Sequence, residues 1–162
     1  MTEGIPVVRM YTDNSGHTRF ARMQIPVESR TGLGSVGLFS SLFLNQNIHD
    51  NTGDLKTQFA LTPVPDNLKG EGPKLAHTAP RRQLVLTLSG CLEFKSCDVA
   101  EDDAEHEVTI RRGDILLAED LEGAGHVWKF VESSDGNFYP WIRCYIHLGE
   151  EYDHFVSQLI PI

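Results

Sequence analysis

Polar and apolar positions in this chain alternate in short runs, and turn formers break the runs at close intervals. "RFARMQIPV" and "VGLFSSLFL" predict early strands. "QLVLTLSGCLEFKS" predicts two strands joined at Ser89-Gly90, and "EVTIRRGDILLAE" two more split by the turn at Arg112-Gly113-Asp114. "GHVWKFVES" and "WIRCYIHL" complete the set. The breaks "DNSG", "TGLG", "DNTGD", "PVPDN", "KGEGPK" and "SDGN" supply Gly, Asn, Asp and Pro where tight turns need them. No segment carries a long capped helical period; a short C-terminal helix in "EEYDHFVSQLI" is expected, and "VGLFSSLFL" is open to a helical reading as well. The pattern predicts an all-β sandwich or barrel, one domain over residues 1–162.

The same alternation sorts side chains by face. Gln83, Val85 and Thr87 share one face, and Leu84, Leu86 and Leu88 the other. His77 and Ala79 have the parity of Gln83, although Pro80 interrupts it. His126, Trp128 and Phe130 fall together, and Trp141, Arg143, Tyr145 and His147 oppose Ile142, Cys144, Ile146 and Leu148. The apolar faces predict burial against a sheet or a partner. The mixed polar-aromatic faces suit a ligand cavity, whose wall is largely apolar and carries few polar groups.

Composition narrows the function classes. With 40% hydrophobic and 23% charged residues the chain reads as an ordinary globular protein. Its formal net charge of -9 argues against a nucleic-acid backbone or an anionic membrane as main partner, since both recruit clustered Lys and Arg. The acidic run "EDDAEHE" reads as a solvated loop. The start "MTEGIPVVRM" lacks a basic region followed by an apolar run, and "VGLFSSLFL" is too short to span a bilayer. Cys91, Cys97 and Cys144 fit no Cys-x-x-Cys pattern, so free thiols and a cytoplasmic location are expected. "GLGSVG" (Gly32 to Gly37) satisfies a dinucleotide-binding fingerprint, and Asp54 stands near the distance of a ribose-binding acid. But Asp54 lies in the turn-rich "HDNTGDLK" and no parallel α/β pattern follows, so the glycines read as a loop before a strand.

Two segments carry chemistry: "HTAPRRQLVLTLSG" and "GDILLAEDLEGAGH". Together they resemble the paired motifs of the cupin superfamily, in particular small single-domain cupins with H-x-x-P-x-R-Q and G-D-x-L-L-x-E-D-x-x-G-x-G-H. The resemblance covers Lys74 to Phe130. His77 matches the first motif histidine and Gly90 its closing glycine, while Ala79 stands where a second histidine belongs and Gln83 where a glutamate belongs. The second motif begins at Gly113 and ends at His126, with Glu119 in place of the usual proline and two extra residues in "EGAGH". The resemblance implies a cupin-type jelly-roll β-barrel of two antiparallel sheets, and a homodimer paired through N-terminal strands, to which "VGLFSSLFL" is suited. It leaves the reaction open, because cupins range from dioxygenases to isomerases, lyases and sensors.

A typical cupin metal takes three imidazoles and a carboxylate, a set suited to Mn, Fe, Ni or Zn. Here the corresponding positions hold His77, Gln83 and His126, so no cofactor is favoured and a divalent metal on those three is the alternative. Without metal, two histidines facing one cavity can move protons near neutral pH. Gln83 with Arg81 or Arg82 can stabilise a developing oxyanion, and Glu119 or Asp120 can orient His126 and set its tautomer. His77, Gln83, His126, Arg82 and Glu119 are therefore the candidate catalytic set. Arg81, Trp128, Phe130, Trp141, Tyr145 and His147 are the candidate binding wall. The set predicts non-redox acid/base chemistry (isomerisation, cyclisation, dehydration or lyase cleavage) on a carbonyl-bearing small molecule of aromatic or polyketide-like character. The rivals are a metal-dependent oxygenase or lyase and a non-catalytic small-ligand carrier. His17, His49, His106 and His154 read as ordinary core or surface residues.

Overall fold

The structure is a computed structural model; it describes residues 4–30, 34–37, 57–66, 75–97, 105–149 and 152–162. In chain order the strands are β1 (Gly4–Thr12), β2 (Thr18–Arg30), β3 (Gly34–Gly37), β4 (Thr57–Thr62), β5 (Gln83–Ser89), β6 (Cys91–Ser96), β7 (Glu107–Arg111), β8 (Ile115–Glu119), β9 (His126–Phe130) and β10 (Trp141–His147). A one-and-a-half-turn helix α1 (Tyr152–Ser157) and a two-residue strand β11 (Ile160–Pro161) follow. Among the described residues this helix is the only one, and none is long and apolar enough to cross a membrane.

The strands form two sheets. The larger has the order β11-β2-β1-β8-β5-β10-β4, with β3 added to β2, and the smaller is β7-β6-β9. Among the described residues the pairings do not close into one hydrogen-bonded ring. They are antiparallel except one: β1 lies parallel to β8, matching Val8 to Leu116 and Tyr11 to Glu119. That corrects the expectation of purely antiparallel sheets. The two strands are far apart in sequence, so no short hairpin constrains their direction. The hairpin between β5 and β6 turns at Gly90, whose φ of 97° lies in the left-handed region that glycine enters without a Cβ clash.

One core lies between the sheets. Val8, Met10, Val85, Leu116 and Trp141 from the larger sheet meet Leu92, Phe94, Val108, Ile110 and Phe130 from the smaller. A second cluster sits on the outer face of the larger sheet. There Val7, Ile25, Leu84 and Leu117 are covered by Tyr152, Phe155 and Leu159 from α1 and the segment after it. The apolar face predicted at Leu84 and Leu86 is therefore buried by the chain's own C-terminal helix, while Leu88 stays exposed. Two covered faces also explain β1: "GIPVVRMYT" runs apolar without clean alternation because Val7 faces the helix and Val8 and Met10 face the inner core.

Apart from Val36 and Gly37, "VGLFSSLFL" lies outside the described residues, as do His49, Asp54 and the start of the acidic run. Gly34–Gly37 are themselves a strand paired with β2, rather than a loop before one. Cys91, Cys97 and Cys144 are free thiols, the first and last buried.

Candidate functional site

The "HTAP" segment folds back along the start of β9. His77 and His126 exchange both backbone hydrogen bonds, at 3.0 and 2.9 Å, and Ala79 N–H donates to the Asp120 carbonyl at 3.0 Å. The pairing demands glycine one residue earlier. Gly125 has φ 75°, and a Cβ there would stand 2.5 Å from the His77 carbonyl oxygen. Once paired, the two imidazoles are neighbours, their centroids 4.5 Å apart and tilted by 55°. His126 is buried, whereas His77 sits at the exposed edge, its Nδ1 3.3 Å from the Leu75 carbonyl.

Both rings open onto a cavity of about 340 Å³ between the sheets. Its polar groups are His77, Gln83, His126, Arg143 and Tyr145. Phe94, Trp128 and Trp141 supply the aromatic wall, and Met10, Val85, Leu116 and Ala118 an aliphatic one. The aromatic side chains brace one another: Trp128 and Trp141 lie 5.2 Å apart near edge-to-face, and Phe94 meets both Trp141 and His126 at under 6 Å. Strand register delivers the polar side chains. Gln83, Val85 and Thr87 point inward from β5, and β10 lays Tyr145 against Val85 and Arg143 against Thr87 across a register shift after Ile142.

Asp120 stands behind His126. It is fully buried, and its Oδ2 accepts from His126 Nδ1 at 2.7 Å and from the Thr18 hydroxyl at 3.0 Å. Its Oδ1 lies 3.3 Å from Ala79 N–H. Three donors satisfy the carboxylate out of water, and it orients the His126 ring through Nδ1. Nε2 is then left as the basic nitrogen of the ring that lines the cavity.

The sequence named His77, Gln83, His126, Trp128, Trp141 and Tyr145, and all of these line the cavity. Others lie elsewhere. Glu119 sits on the opposite face of β8, its Oε1 2.5 Å from Arg9 Nη2. Asp120, one residue on, takes the orienting position, because successive strand residues face opposite sides. Arg82 also faces outward, stacking over the Tyr152 ring at 4.5 Å. Arg81 is exposed, with Nη1 3.5 Å from His147 Nδ1, and neither residue is in the cavity wall. Phe130 packs into the inner core. Glu119, Arg82, Arg81, His147 and Phe130 are thus corrected out of the cavity. Burial pushes the Glu119 carboxyl up from its ordinary value, against the opposing pull of Arg9, and its Oε2 has no partner among the described residues. His17 and His106 lie beside Asp13 and Glu107, and His154 is exposed on α1.

One charged cavity residue, Arg143, was not in the candidate set. Arg143 shares the inward parity of Trp141 and Tyr145, which was legible, but an arginine on a sheet face reads by default as solvent-directed. Its guanidinium stacks on Trp141, 3.9 Å from the ring centre, and Nε donates to the Tyr145 hydroxyl at 2.5 Å.

Compared with known proteins, the chain matches no family model, no curated protein and no solved structure.

Among the described residues the cavity donors form no set suited to a resident divalent metal. Among the described residues no three His, Cys, Asp or Glu side chains gather to hold an ion. The cavity lining offers two imidazoles and a neutral amide, Asp120 is committed to His126 Nδ1, and Glu119 faces away.

Proposed function

We propose that the protein is a small-molecule enzyme of cupin type that performs non-redox acid/base chemistry beside a carbonyl group. The observation that carries this reading is the buried Asp120–His126 pair at 2.7 Å with the other side of the imidazole turned to a largely apolar cavity. A carboxylate that fixes the tautomer and a ring nitrogen left basic make a general base. His126 Nε2 takes a proton from the carbon next to the carbonyl. Gln83 is the polar anchor for the developing oxyanion, its amide N–H groups being donors on the same wall. His77, 4.5 Å from His126 at the exposed edge, returns a proton or passes it to water. The jelly-roll arrangement rests on the motif resemblance together with two sheets enclosing the cavity.

The test is hydrogen–deuterium exchange at carbon. Flat cyclic ketones and 1,3-dicarbonyl compounds are incubated in D2O with the protein and followed by NMR. Exchange catalysed by the wild type and lost in His126→Ala and Asp120→Asn is the expected result. Saturable binding of these compounds with no exchange in any variant would replace the enzyme with a carrier. Exchange that appears only on adding Mn, Fe, Ni or Zn would replace it with metal-assisted chemistry.

A further inference from the structure

We infer that the cavity takes a small organic anion, a carboxylate on a flat apolar body, with Arg143 as its anchor. The inference rests on the proposed reading of the cavity as a substrate site and names the substrate class. In a chain with 23 acidic and 14 basic residues, a cation has carboxylates at hand. Yet among the described residues no Asp or Glu lines this cavity and none pairs with Arg143.

The donor count points the same way. Guanidinium carries five N–H groups. Nε donates to the Tyr145 hydroxyl; Nη1 donates to the Thr62 hydroxyl at 2.8 Å and faces the Trp141 carbonyl at 3.4 Å. These contacts, with the stacking on Trp141, lock the group in place at little further entropic cost. Nη2 keeps both its N–H groups without an acceptor among the described residues. The Trp141 indole N–H is likewise buried without a partner among the described residues. A positive charge held rigidly in an apolar wall, with donors left over and all partners neutral, is complementary to one negative charge. Trp128 and Trp141 beside it suit a flat body, and a single guanidinium suits a carboxylate better than a phosphate dianion, which draws on more donors.

For an enzyme of the proposed kind, this sets the orientation of the substrate. The carboxylate seats at Arg143 on β10, and the carbonyl and its neighbouring carbon lie toward Gln83, His77 and His126. An uncharged analogue would bind without that register.

The experiment is calorimetric titration of the full chain at neutral pH with benzoate and 2-naphthoate, each against its primary amide of nearly equal size. The expected result is a preference for acid over amide of about tenfold or more, the yield of charge-assisted hydrogen bonds in a shielded site. The preference is expected to vanish in Arg143→Gln and to survive in part in Arg143→Lys. Equal affinity for acid and amide in the wild type, or no binding of either at millimolar concentration, would overturn the inference. So would a preference that Arg143→Gln leaves intact, since the anion would then sit elsewhere in the cavity. If Arg143→Gln does not fold, the wild-type ratio and Arg143→Lys still decide. The readout is independent of turnover. A carboxylate preference without carbon exchange sinks the enzyme reading alone, and exchange without the preference sinks this one alone.

Discussion

Asp120→Asn tests the site without needing its substrate. The change keeps shape and removes charge from a side chain with no solvent exposure. The carboxylate accepts from His126 Nδ1, Thr18 Oγ1 and the Ala79 N–H. An amide has one acceptor oxygen and one donating nitrogen. If its oxygen keeps the Ala79 side, its nitrogen donates toward His126 Nδ1 and Thr18. The hydroxyl can rotate to accept, but the imidazole must move its proton to Nε2. Exchanging charge-assisted hydrogen bonds for neutral ones costs about 1–3 kcal/mol, so the variant folds at reduced stability. Asp120→Ala leaves a buried imidazole and hydroxyl unpaired and costs about 1–3 kcal/mol for each. Urea unfolding reads the stability, and long-range proton–nitrogen NMR reads which ring nitrogen of His126 carries the proton. The expectation is Nδ1–H in the wild type and Nε2–H in Asp120→Asn, with carbon exchange reduced by about 10²-fold or more as the general base is lost. A wild-type His126 protonated on Nε2, or an Asp120→Ala variant losing less than about 1 kcal/mol, would refute the reasoning.

Three further outcomes are expected. Gly125→Ala places a Cβ 2.5 Å from the His77 carbonyl oxygen at a φ of 75°, so it should cost about 2–4 kcal/mol and speed amide exchange at His77 and His126; unchanged protection at both would count against it. Asp13, held down to about 2 first by the Arg19 side chain and then by the His17 N–H, gives stability that is present above the ordinary aspartate value and lost as pH falls toward 2. Acid unfolding of Asp13→Asn should lack that component, and acid profiles that superimpose would rule it out. Glu119 has the opposite sign: burial raises its folded value, so its charged form destabilises the fold at neutral pH and that penalty is relieved as pH falls through the raised value toward the ordinary one. Wild-type stability relative to Glu119→Gln should therefore rise on acidification from neutral, and a fall would contradict the assignment.

Much of the fold was legible because it follows from local pattern. The β5–β6 hairpin, the β7–β8 turn, β9, β10 and the C-terminal helix lie where alternation and turn chemistry put them. β1 and β4 were missed for different physical reasons. β1 is covered on both faces, so its alternation is blurred. β4 is a sheet edge with Phe59 and Leu61 largely exposed, so the usual contrast between inner and outer face is absent. At the site, parity found Gln83, Trp141 and Tyr145, but chose Glu119 over Asp120. That choice turns on where β8 ends, and a one-residue slip moves a side chain to the other face of the sheet. Arg143 could be placed on the right face, but nothing local showed that its face was enclosed. That depends on β6 and β9, which sit across the core from it.

The chain has two tryptophans, and both stand in the wall of one cavity, 5.2 Å apart, with Trp141 against a guanidinium. All of its indole fluorescence therefore originates within a few ångströms of the place where a ligand would sit. Tryptophan emission and the indole bands of the near-ultraviolet dichroism report on this one cavity and on little else. A compound that enters should register optically at micromolar protein without a label, and a change in the emission spectrum on purification would mark a ligand that came along with the protein.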